Sequence, residues 1–90
     1  MPLKTELSEK VPANLKKEPE FQALLDQIKQ QRIEEKAHLV KFLEQEIALV
    51  ERWLEENSHS GGAAIKAVRS KIVHLGVLKK SLKLVREFLL

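Results

Sequence analysis

Between Pro19 and Gly61 the chain contains no glycine or proline, and apolar residues recur there at the spacing of a helix face. Without a breaker residue, nothing local ends a helix once it has started. At about 100° per residue, Phe21, Leu24, Leu25 and Ile28 share one half-cylinder with Leu39, Val40, Phe42, Leu43, Ile47, Leu49, Val50, Trp53 and Leu54. A stripe this wide exceeds the seam of a two-stranded coiled coil, so the helix needs at least two neighbours. Pro19 suits a first helical position, and Glu18 and Glu20 suit the positive end of the helix dipole. Between Ile28 and Leu39 the same face carries Gln31, Arg32, Glu35 and Lys36. That gap marks a wet or interacting segment or a bend; the absence of a breaker favours one continuous helix over residues 19–57.

The run ends at Ser58-His59-Ser60-Gly61-Gly62. Asn57 and Gly61 or Gly62 can take the left-handed conformation that closes a helix, and Ser60 or Gly62 can cap the next. The second helix is expected over residues 63–90. Its main stripe is Ala64, Ile65, Val68, Ile72, Leu75, Leu78, Leu82, Val85 and Leu89; a second stripe, Val73, Val77, Leu84 and Phe88, lies roughly opposite. One partner helix cannot cover both.

The expected fold class is all-α: an antiparallel helical hairpin over residues 19–90, completing a four-helix bundle by dimerisation. At ~1.5 Å per residue the first helix spans roughly 58 Å and the second roughly 42 Å. The segment Phe21, Leu24, Leu25, Ile28 then overhangs and needs cover from the N-terminal arm, a second copy or another protein. In the arm, residues 1–18, Pro12 and Pro19 discourage a continuous helix. Leu3, Leu7, Val11 and Leu15 still recur every four residues, so an irregular arm with a short helical turn can dock on the hairpin.

Charge is strongly polarised. Residues 18–57 carry a balance of −5 and residues 58–90 a balance of +6, within a net charge of +3. This asymmetry favours antiparallel pairing of the two helices, with Lys71, Lys79 and Arg86 placed to meet acids of the first. Glu55 and Glu56 oppose their own helix dipole, but face the positive start of the second helix near Lys66 and Arg69. There is no cysteine, which excludes disulfide scaffolds and thiolate metal clusters. No apolar run approaches the ~20 residues of a bilayer span, and the N-terminal twenty residues lack a signal peptide's apolar core. The expectation is a soluble, cytoplasmic protein.

No constellation points to catalysis. Glu35 and His38 match the Glu-x-x-His spacing of di-metal helical bundles, but the second helix supplies only Glu87 as a further carboxylate. His59 between two serines has no orienting acid, and the glycine pair lacks the lysine of a phosphate loop. We therefore expect neither an enzyme nor a metal or cofactor protein. Lys66, Arg69, Lys80 and Lys83 are candidate phosphate contacts of a nucleic-acid-binding alternative, although no aromatic residues are interleaved to stack on bases. Trp53, the sole tryptophan, is a core-edge residue or an interface anchor. The favoured function is protein–protein interaction, as a homodimer or with a helical partner protein. Its expected interface is Phe21, Leu24, Leu25, Ile28, Trp53, Val73, Val77, Leu84 and Phe88.

Overall fold

A computed structural model describes residues 3–58 and 65–89, and the side chains of residues 7–57 and 65–87. The chain runs α1 (Leu3–Lys10), α2 (Ala13–Lys16), α3 (Pro19–Gln30), α4 (Lys36–Ser58) and α5 (Ile65–Leu89), with no strand among the described residues. The expected hairpin is present: α4 and α5 pack along one another more extensively than any other pair of elements. Lys79 meets Glu51 at 3.7 Å and Arg86 meets Glu44 at 3.5 Å. A step of seven up α5 is thus a step of seven down α4, so the helices are antiparallel. The molecule extends 45 × 24 × 24 Å.

The first long helix is not continuous. It stops at Gln30 and restarts at Lys36, correcting the expectation of one helix over 19–57. The stop is made by Arg32, whose φ of 54° lies in the left-handed region. Its N–H donates to the Lys29 carbonyl at 3.1 Å, and the Ile33 N–H donates to the Ile28 carbonyl at 3.2 Å. These are the two bonds of a Schellman cap, here built without glycine. A left-handed conformation costs a non-glycine residue roughly 1–2 kcal/mol. The paired carbonyls offset this, as does Ile33, which packs on the core. The polar gap in the stripe was the visible sign of the break.

Released from α4, α3 turns back and packs against α5. Glu18 is its extended N-cap and Pro19 opens the first turn. The arm is helical rather than irregular: α1 and α2 both pack against α3. Pro12 separates them and caps α2, and its carbonyl accepts the N–H groups of Leu15 and Lys16. Leu7, Val11 and Leu15 are buried, so the four-residue recurrence faces inward.

The core occupies one end of the hairpin. It joins Leu7, Val11 and Leu15 of the arm, Phe21, Leu24, Leu25 and Ile28 of α3, Leu39, Leu43 and Val50 of α4, and Val77, Leu78, Leu82 and Val85 of α5. Ser81 is buried among them with no hydrogen-bond partner for its hydroxyl. No described residue in 51–57 or 65–76 is buried. Towards the joint, α4 and α5 have only each other.

Candidate interaction surface

The expected overhang is filled from within the chain. Phe21, Leu24, Leu25 and Ile28 are all at most 4% exposed, covered by the arm and α5, so they form core and not a partner-facing surface. Much of the second stripe is covered too. Val77 is buried and Leu84 packs on the core, because α3 supplies α5 with a second neighbour along that side. Val73, one turn nearer the joint, lies beyond that cover and is exposed. The side chain of Phe88, and the joint with His59, Ser60, Gly61 and Gly62, lie outside the described residues.

Apolar surface instead collects where the hairpin has only two helices. Leu49 is 59% exposed, Ile65 74%, Ile72 54% and Val73 46%. Ile65, Ile72 and Val73 lie in the joint-side half of α5, whereas Leu49 lies farther from the joint, next to buried Val50. Ile65 and Ile72 had been assigned to the main stripe facing the first helix; they project to its flank. Trp53 is half-buried near the joint. Lys71 holds its Nζ 5.4 Å from the Trp53 ring centroid rather than pairing with an acid, a cation–π arrangement. Asn57 turns its amide back to the Trp53 carbonyl at 2.8 Å. Lys71, His74 and Asn57 are half-buried near the joint.

One flank of the groove has a regular pattern. Ile65, Val68, Ile72 and Leu75 follow a 3-4-3 spacing, the a/d repeat of a helix seam. The same repeat continues as Lys79, Leu82 and Arg86. Lys79 and Arg86 reach across to Glu51 and Glu44. In the joint-side half, isoleucine stands where those bases stand, and nothing on α4 closes the groove over it. Val68 and Leu75 of α5 are half-buried, as are Ile47 and Leu54 of α4. Along this flank α4 presents Glu44, Glu51 and Glu55, and α5 presents Lys79, Lys83 and Arg86, all exposed. The acidic rim is on one helix and the basic rim on the other.

The remaining sequence candidates are solvated. Glu35 and His38 approach to 3.6 Å with both side chains 70% exposed. Among the described residues, no three His, Asp or Glu side chains converge on a metal-sized site, and no helix is long and apolar enough to cross a membrane. Lys66, Arg69, Lys80 and Lys83 are exposed on the outer side of α5. Lys80 and Lys83 line a shallow cleft against Pro12 and Leu15 that also contains Glu87. Glu56 pairs with Arg52 on its own helix at 3.2 Å. No family model, curated protein or solved structure matches this chain.

Leu49, Ile65 and Ile72, expected on inward-facing stripes, are surface groups. The available signal was the seven-residue register linking Ile65 and Ile72 to Lys79 and Arg86. A position charged in one half of a helix and β-branched in the other is a rim position, not a core one.

Proposed function

We propose that this chain is a non-enzymatic helical interaction module of the cytoplasm, which completes the joint-side half of its hairpin by packing against another protein. One observation carries the reading: Ile65, Ile72 and Val73 remain exposed in the joint-side half of α5 while Val77, Leu78, Leu82 and Val85 of its other half are buried. Scattered surface hydrophobics are ordinary, whereas large residues gathered on one end of a small domain mark an interface. Each such side chain gains roughly 1.5–3 kcal/mol when fully buried. The seam spacing fits a helix laid in a groove, read through anchors one turn apart.

A photo-crosslinking residue placed at Ile72, and separately at exposed Gln22 on α3 and at Arg69 and Lys83 on α5, tests this in native-host cells. A discrete protein adduct from position 72 and none from position 22 is the expected result. Absence of any protein adduct at position 72, or adducts to nucleic acid from positions 69 and 83 instead, would overturn it.

A further inference from the structure

Resting on that reading of the seam, we infer that its occupant is a second copy of this chain, docked face to face about a two-fold axis parallel to the helices. Charge favours this occupant. Whatever covers the groove meets glutamates 44, 51 and 55 along one side, and Lys79, Lys83 and Arg86 along the other. An isologous contact sets the same patch against itself, so the direction of the axis decides which rims meet. With the axis along the helices, α4 of one copy lies beside α5 of the other. The acidic rim then faces the basic rim twice. With the axis across the helices, α4 lies on α4 and acid opposes acid.

The surface is large enough. The α4–α5 face is roughly 34 Å long and 20 Å wide, or about 700 Å² per copy, close to the ~800 Å² per partner of a stable complex. In the joint-side half Leu54, Val68 and Leu75 are half-buried, and Ile65 and Ile72 are exposed. α1 and α2 pack on α3, and α3 packs on α5; Pro12 and Leu15 of the arm border the Lys83 edge of this face. Glu51–Lys79 and Glu44–Arg86 are exposed pairs, free to exchange partners between copies without burying an unpaired charge. The product is a four-helix layer of α4, α5 and their two counterparts, with Ile65 and Ile72 filling its joint-side half.

Sedimentation equilibrium of the full chain, with circular dichroism to confirm folding, tests the inference. The wild type should sediment with twice the chain mass, and Ile65→Asp/Ile72→Asp should be a folded monomer. Glu51→Lys/Glu55→Lys should weaken self-association by roughly tenfold or more, as should Lys79→Glu/Lys83→Glu. An equimolar mixture of these two charge variants should recover dimerisation as a heterodimer. A wild type that stays monomeric at sub-millimolar concentration overturns the second copy. The interaction module then stands or falls separately, on whether position 72 crosslinks to a different protein. A dimer that survives both the seam and the charge substitutions overturns the seam as interface and, with it, both readings.

Discussion

The two ends of the α4–α5 hairpin are built from similar residues and end up in different states. Away from the joint, Leu39, Leu43, Leu78 and Val85 are almost completely buried. Near the joint, Leu54, Val68 and Leu75 are only half-buried, and Ile65 and Ile72 are largely exposed. Hydrophobicity does not separate these sets; the number of neighbouring helices does. The buried end has α3 and the arm packed against the hairpin. A two-helix pair buries one stripe per helix and leaves the flanks wet, which is why an isolated hairpin is an incomplete core.

The sharpest way to break this comparison is to truncate one residue from each end. Phe21→Ala removes a ring that is fully enclosed by the added helices and should cost about 3–5 kcal/mol in urea denaturation. Leu75→Ala, at a half-buried site, should cost less than about 2 kcal/mol when the chain is monomeric. Equal costs would mean that the two ends are equally packed. Val77→Asp belongs with the first group: it places a carboxylate at a buried site and should unfold the hairpin, not merely block association.

How much of this was legible beforehand depended on whether a residue's environment was local. The hairpin, its antiparallel sense and the inward row Leu7, Val11, Leu15 followed from spacing. The pairing of Lys79 and Arg86 with acids of the first helix followed from the opposite charges of the two halves. The break at Arg32 was hidden because arginine is not a helix breaker; it takes the left-handed conformation because Ile33 gains a place on the core. Once that turn is made, α3 lies on α5 and the overhang disappears, taking Phe21, Leu24, Leu25 and Ile28 out of the interface. The exposed seam was misassigned for a related reason. A helical wheel gives the direction of Ile65 and Ile72, but not where along the axis their neighbours stop.

Smaller changes sharpen the same contrast. Arg32→Gly should stabilise the chain by about 1 kcal/mol by relieving the left-handed conformation, whereas Arg32→Val should destabilise it; a thermal melt reads both. Gly76→Ala should add up to ~1 kcal/mol, because an added Cβ there meets nothing within 4 Å. The smallest effect should come from Glu44→Gln. It removes one exposed ion pair, worth at most ~1 kcal/mol, and should leave the midpoint of unfolding almost unchanged.

The central claim is that α5 changes character between Gly76 and Val77, where cover by α3 and the arm gives out. Amide hydrogen exchange resolved along α5 in dilute, monomeric protein tests it most directly. The account predicts slow exchange from residues 77 to 85 and markedly faster exchange from 65 to 76, with the faster segment gaining protection when a partner or a second copy binds. Uniformly slow exchange from Ile65 to Val85 in the monomer would contradict it.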